Sequence, residues 1–274
     1  MDFDTKPTSD YPISALVEIL NRGFEGYFVP IQLNLTAVLN MVRNDGIDLT
    51  ISRILLMDGQ PAGIAMIARR GWTSRLAAMG IAKELRGMGA GSWFMGQLID
   101  EARERREHEM LLEVIEQNEP AVHLYEKCGF QVIRRLIGFI CRDASETVAT
   151  ELQQIDLREA GHLVTQHGLS DLPWQLSGET IIQMNPPMRA YQKGQAYAVI
   201  SNPEAKEIVI WCLFVEPGIR GNGLGLDMLK TLIASHTGKT WHVPAILPEE
   251  LGSVYEQAGF ERQELSQWQM KLVL

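Results

Sequence analysis

The stretch Leu85-Arg-Gly-Met-Gly-Ala-Gly-Ser92 has a second copy in Ile219-Arg-Gly-Asn-Gly-Leu-Gly-Leu226, and both read Arg-Gly-x-Gly-x-Gly. Each follows an apolar, strand-like run, Arg75–Ile81 and Ile208–Val215. Each precedes an amphipathic helix. Phe94, Met95, Leu98, Ile99 and Ala102 share one helical face, as do Met228, Leu229, Leu232 and Ile233. A later element repeats too. Leu124-Tyr-Glu-Lys-Cys-Gly-Phe130 matches Val254-Tyr-Glu-Gln-Ala-Gly-Phe260, in each case a short helix ending at glycine. Two elements in the same order, offset by about 130 residues, indicate a duplicated domain rather than a solenoid.

The chain has 274 residues, of which 46% are apolar, enough for ordinary globular cores. A cut at the polar stretch Arg142–Thr147 gives domains 1–145 and 146–274. The second lacks a counterpart as long as Tyr11–Asp58, so a trimmed helical part is expected before its strands. The net charge is −9, and both halves are acidic, which disfavours a nucleic-acid partner. The longest apolar run, Ile208–Val215, is too short to span a bilayer as a helix, so no membrane partner is expected. The acidic start carries no secretory pattern, and Cys128, Cys141 and Cys212 fit neither a disulfide framework nor a zinc site. A cytoplasmic protein is expected. The mixed run Glu101–Glu109 reads as a solvated helix face with i,i+4 pairs.

A glycine-rich turn from a strand into a helix makes an anion site. Glycines permit positive φ, several N–H groups converge, and the helix start is electropositive. Pyrophosphate is the natural guest, although such a turn is also a common ligand-free cap. No Gly-Lys-Ser/Thr follows, so this is not a Walker loop, and the spacing departs from the Gly-x-Gly-x-x-Gly of dinucleotide folds. The six histidines show no metal spacing beyond the loose pair His162 and His167, and no metal is expected. No Gly-x-Ser-x-Gly elbow supports serine hydrolysis.

The order strand, Arg-x-x-Gly-x-Gly, helix, strand, then Asn118-Glu-Pro-Ala-Val-His-Leu-Tyr-Glu-Lys-Cys-Gly-Phe130 resembles the GNAT acetyltransferase superfamily. Arg86, Gly89 and Gly91 match the family's acyl-CoA loop, as do Arg220, Gly223 and Gly225. Asn118, Ala121, Leu124, Tyr125, Gly129 and Phe130 match its later motif. The resemblance covers about Arg75–Phe139 and Ala196–Leu272. It implies two tandem α/β domains, each a mixed, mostly antiparallel splayed sheet flanked by helices. The C-terminal strand of one domain is free to complete the other's sheet.

The resemblance further implies acetyl-CoA as donor and a primary amine of a small molecule or peptide as acceptor. A non-catalytic acyl-CoA sensor, or an enzyme for a longer acyl-CoA, stays open, and a homodimer is compatible. The coenzyme would lie on Arg86, Gly87, Met88, Gly89, Ala90, Gly91 and Ser92, and on Arg220, Gly221, Gly223 and Gly225. Ile81 and Lys83 would present backbone N–H groups to the acyl arm, as would Val215; Pro217 has none to offer. Asn118 and Ala121 would pin the coenzyme arm. Tyr125 and Tyr255 match the residue that protonates or hydrogen-bonds the leaving sulfur, and Glu113 is a candidate base with Glu84 and Glu116 as rivals. Domain two has Pro248 in place of Asn118 and Val243 in place of Glu113, so domain one is expected to be catalytic. Tyr27, Phe28, Trp72 and Arg75 are candidate acceptor contacts.

Overall fold

The computed structural model describes residues 2–30, 32–142, 151–169 and 171–274. Most of the expected linker, Asp143–Thr147, lies outside the described residues. The chain forms two compact units. Unit 1 holds residues 1–133 with Trp268–Leu274, and unit 2 holds Arg134–Gln267.

Unit 1 runs β1 (Phe3–Pro7), α1 (Ile13–Gly23), α2 (Leu35–Asp45), β2 (Arg53–Met57), β3 (Gln60–Arg70), β4 (Thr73–Ile81), α3 (Ala90–Glu104), β5 (Glu109–Ile115) and α4 (Glu119–Lys127). Next come β6 (Gln131–Cys141) and β7 (Gln153–Ile155), then α5 (Leu157–His167), α6 (Gly178–Gln183), β8 (Arg189–Lys193) and β9 (Ala196–Ile200). β10 (Glu207–Val215), α7 (Leu224–Ser235), β11 (Thr240–Pro248), α8 (Ser253–Gln257) and β12 (Glu261–Val273) complete the chain. The second copy thus repeats the first element by element. The expected trimming is a shortening: α6 has 6 residues where α2 has 11, and no element is missing.

A cut near residue 145 does not separate the compact units, because each sheet takes its last strand from the other half of the chain. The end of β12 buries Met270 and Leu272 in the unit 1 core. Ile137, Phe139 and Cys141 of β6 lie in the unit 2 core, where β6 pairs antiparallel with β11. The helical faces are as the periodicity demands: Phe94, Met95, Leu98, Ile99 and Ala102 of α3 are buried, as are Met228, Leu229, Leu232 and Ile233 of α7.

Each sheet forks. β4 pairs in parallel with β5 only from Thr73↔Glu109 to Leu76↔Leu112. β10 pairs with β11 only from Glu207↔Thr240 to Val209↔His242. At each fork the inner strand carries a bulge. The register against β3 skips Ala77, and the register against β9 skips Trp211. An extra residue in one strand breaks the ladder and bends it. The bulge and the end of parallel pairing therefore coincide, and the strand ends separate.

Candidate active site

The glycine loops sit where each fork opens. Gly87 and Gly89 have φ of 78° and 85°, and Gly221 and Gly223 have 84° and 79°. These left-handed values strain any residue with a Cβ. Gly89 and Gly223 are the N-caps of α3 and α7. The first helical bonds run from Trp93 N–H to the Gly89 carbonyl and from Asp227 N–H to the Gly223 carbonyl. The helical amides before them are the donors that a helix start leaves over, and an anion satisfies them. A Cβ built on Gly87, Gly89, Gly221 or Gly223 would meet no atom within 4 Å. A pyrophosphate fits such open, donor-rich backbone. Gly91 serves packing instead, because a Cβ there would stand 3.2 Å from Leu124 of α4. The small residue lets α4 approach the start of α3.

Arg86 does not offer its charge to a phosphate. Its Nε donates to the Ile81 carbonyl at 3.0 Å and its Nη2 to the Gly23 carbonyl at 2.9 Å. Arg220 does the same, to Val215 at 2.8 Å and His167 at 2.7 Å. Each arginine ties the end of the forked strand to the end of the first helix of its unit. The Met88 amide is also engaged, with the Leu85 carbonyl, while its side chain is exposed. Ala90 is buried in the core.

The Ala82 N–H bonds the Ala62 carbonyl of β3. Because backbone groups alternate along a strand, the Ile81 amide faces the fork, while Lys83 already begins a short 3-10 turn. The Glu216 N–H likewise bonds Gln195, which turns Val215 toward the fork of unit 2.

Around the first fork three motif side chains converge. Asn118 caps α4, accepting from the Ala121 N–H. Its side-chain amide also hydrogen-bonds the Tyr27 hydroxyl. Tyr27 in turn is close enough to Tyr125 to add to the rise of that phenol's pKa, which is driven mainly by burial. Tyr27 comes from the α1–α2 segment. It is edge-on to Phe24 at 5.2 Å and to Phe28 at 6.1 Å. Phe28 itself is exposed. A backbone contact holds this segment over β4: a Cβ on Gly80 would be 2.9 Å from the Gly23 Cα. The Tyr27–Asn118 bond was not anticipated from sequence. Gly80, a glycine inside a strand, was the available sign of a close backbone approach.

Arg75 and Glu113 meet in a different way from that expected. Arg75 Nε binds Glu113 Oε2 at 2.7 Å, and its Nη1 binds Asp45 Oδ2 at 3.3 Å. The Arg75 and Glu113 side chains are 3% and 4% exposed. Burial raises the Asp45 pKa, against the opposing pull of Arg75. Arg75 is therefore a buried strut and not an acceptor contact. Glu113 is the first residue of β5 beyond the paired segment, and its Oε1 has no hydrogen-bond partner among the described residues. Glu84 is bound to Arg22, and its own backbone amide together with that guanidinium lowers its pKa, which makes it a poor base. Trp72 is remote. It stacks on His108 at 5.4 Å in the β3–β4 turn. The length of β4, at about 3.3 Å per residue, separates it from Ile81.

At the second fork Tyr255 is buried, stacked on Phe139 at 5.5 Å and edge-on to Phe260 at 5.6 Å. Burial and the neighbouring Cys212 raise its pKa. The cap is lost: the residue before α8 is Gly252, which makes no side-chain cap. A cavity of about 500 Å³ runs from the Arg220–Leu226 loop past Tyr255 to the α5–α6 segment.

Residues 15–130 match the model of the Acetyltransferase (GNAT) family. Streptothricin acetyltransferase of Streptomyces lavendulae is 39% identical over 75 residues, which cover 27% of this chain and 40% of that enzyme. The chain thus spans less than half the length of this curated relative. A GCN5-related N-acetyltransferase from Sphaerobacter thermophilus superposes with a TM-score of 0.71 at 14% identity, covering 99% of this chain and 95% of its own. A tandem GNAT protein from the clavulanic acid biosynthesis pathway gives 0.69 at 12% identity, covering 99% and 98%. The motif, the forked sheet and these matches agree: residues 15–130 match the model of the GNAT acetyltransferase family, the fold is that of these solved structures, and the second unit repeats the order of elements found in the first.

Proposed function

We propose that the chain is an acetyl-CoA-dependent N-acetyltransferase and that unit 1 is its catalytic half. The observation that carries this reading is the convergence of Tyr27, Asn118 and Tyr125 at the first fork. When bound, acetyl-CoA supplies the acyl group as a reactive thioester. The helix-start amides of Ala90, Gly91 and Ser92 would hold its pyrophosphate, and the Ile81 and Lys83 amides would address the acyl arm. Tyr125 stays a neutral phenol because burial disfavours its anion, so its O–H can donate a hydrogen bond that stabilises a leaving thiolate. Glu113 is the candidate proton acceptor, oriented by Arg75 and with a buried Oε1 that has no hydrogen-bond partner among the described residues. Tyr27 and Phe28 form the aromatic wall toward the acceptor. The stretch shared with streptothricin acetyltransferase favours a small-molecule amine over a peptide.

Calorimetric titration of acetyl-CoA into Gly89→Trp and Gly223→Trp variants tests this reading, with thermal melts confirming that each is folded. Gly89→Trp is expected to abolish both acetyl-CoA binding at unit 1 and release of free CoA with an amine panel, while Gly223→Trp retains turnover. Turnover lost only in Gly223→Trp would reverse the assignment. A second reading, an acyl-CoA sensor without turnover, is favoured by unit 2, which keeps the glycine loop and Tyr255 without the Asn118 cap. It predicts coenzyme binding with no amine-dependent release of CoA.

A further inference from the structure

The two forks differ at the position that faces the first helix of each unit. In unit 1, Gly80 allows α1 to lie on β4 with backbone against backbone. Arg86 grips Gly23 as Arg220 grips His167, so these helix ends correspond. Gly80 lies six residues before Arg86, and six before Arg220 stands Phe214. Ala77 and Ala78 likewise become Trp211 and Cys212. A ring at position 214 excludes the backbone contact seen in unit 1. Here the α5–α6 segment, through Val164, Leu172 and Leu176, walls a cavity of about 500 Å³ instead. That volume lies within the usual range for small-ligand sites.

Among the described lining residues, no carboxylate is free to serve amine chemistry. Its charged lining residues are Arg220 and Glu250. The Arg220 guanidinium is held by two carbonyls and lies over Phe214, 5.5 Å from the ring centre. Glu250 is paired with Arg134 at 2.8 Å. Arg134 also binds Asp171, so it clasps the two lips near Leu172 and Leu251. The Cys212 thiol is pushed up to about 12 by burial and stays a neutral thiol. β11 passes the fork as Val243-Pro244-Ala245-Ile246-Leu247, without a carboxylate. What remains is a mostly apolar wall, Ser253 and Gln257 at α8, the Tyr255 hydroxyl and an open glycine loop.

We propose that unit 2 is a non-catalytic site for acyl-CoA thioesters whose acyl chain is apolar and longer than acetyl. The loop at Gly221 and Gly223 takes the phosphates, and the chain lies among Val164, Leu172, Leu176 and Phe214. This rests on reading the glycine loop as an acyl-CoA site. The donor used in unit 1 and the ligand sensed in unit 2 then differ in chain length.

The test is calorimetric titration of CoA, acetyl-CoA, butyryl-CoA and hexanoyl-CoA into the full chain carrying Gly89→Trp, which confines binding to unit 2. Burial of each methylene should tighten binding roughly fourfold. Adding Leu172→Arg should remove that gain and leave CoA binding in place. Leu172→Trp, which fills the cavity with apolar bulk and preserves the core, should do the same. CoA binding with affinity independent of chain length would overturn the apolar-chain assignment alone. A gain that survives both Leu172 variants would overturn it as well, by placing the chain elsewhere. Tight binding of hexylamine in place of an acyl effect would make the cavity an acceptor pocket and equally contradict it. No binding of CoA at all would instead refute the reading of the loop.

Discussion

Arg75 is the residue whose loss should be felt most. Removing it leaves the buried Glu113 carboxylate without its guanidinium and takes one of the cations from Asp45, which also feels Arg70. Breaking a buried pair in this way costs about 3–5 kcal/mol, so Arg75→Ala should lower the urea midpoint steeply. The double variant Arg75→Met with Glu113→Gln should recover part of the loss, since the more deeply buried carboxylate is then no longer left charged and unpaired. A surface arginine would show neither effect. Tyr125 offers a test by pH. Burial disfavours the phenolate, so the proton stays on as the pH rises through the ordinary value of 10. The kcat profile should therefore show no alkaline fall near pH 9–10 that vanishes in Tyr125→Phe. The positions of Asn118 and Tyr125 in one motif were legible in the sequence. The roles of Arg75 and Arg86 were not, because a sequence does not say whether a guanidinium meets solvent, a phosphate or a backbone carbonyl.

The elements that place the site are α1 and β4. Gly80→Ala would put a methyl group 2.9 Å from the Gly23 backbone, which cannot yield as a side chain can. Displacement of α1 should move Tyr27 from Asn118. The expected result is a loss of about 1–3 kcal/mol in stability and a raised KM for the amine, with acetyl-CoA affinity changed less. Steady-state kinetics with each substrate varied in turn would show it. The apolar faces of α3 and α7 were readable from 3.6-residue periodicity. The forks were not, since a bulge at Ala77 or Trp211 is one unpaired residue in a continuous apolar run. The charged run Glu101–Glu109 was only partly readable. Arg105 does pair with Glu101, but α3 ends at Glu104 and Glu107 is buried against Arg105.

The duplication was plain from the repeated motifs, and the boundary was drawn where the second copy begins. The compact units do not respect that boundary, because each completes its sheet with a strand from the other half. β6 and β12 follow the same helix and glycine in the two copies, so nothing local marks which sheet each joins. Deleting Trp268–Leu274 should therefore harm unit 1 although it removes the end of the second copy. It takes Met270 and Leu272 from the unit 1 core and leaves an open strand edge. Truncated protein should melt at a lower temperature, lose soluble yield and lose acetyl-CoA binding at unit 1. A truncated chain that binds and melts like the full one would argue against the exchange.

The central claim is that chemistry belongs to unit 1. The most direct measurement is kcat for amine-dependent release of CoA in Tyr125→Phe and Tyr255→Phe, under conditions where both variants melt like the parent. A missing general acid or anion-stabilising donor typically costs about 10²–10⁴-fold in rate. Tyr125→Phe should fall by that amount with the KM for acetyl-CoA nearly unchanged, and Tyr255→Phe should turn over like the parent. The opposite pattern would contradict the account and move the active site to unit 2.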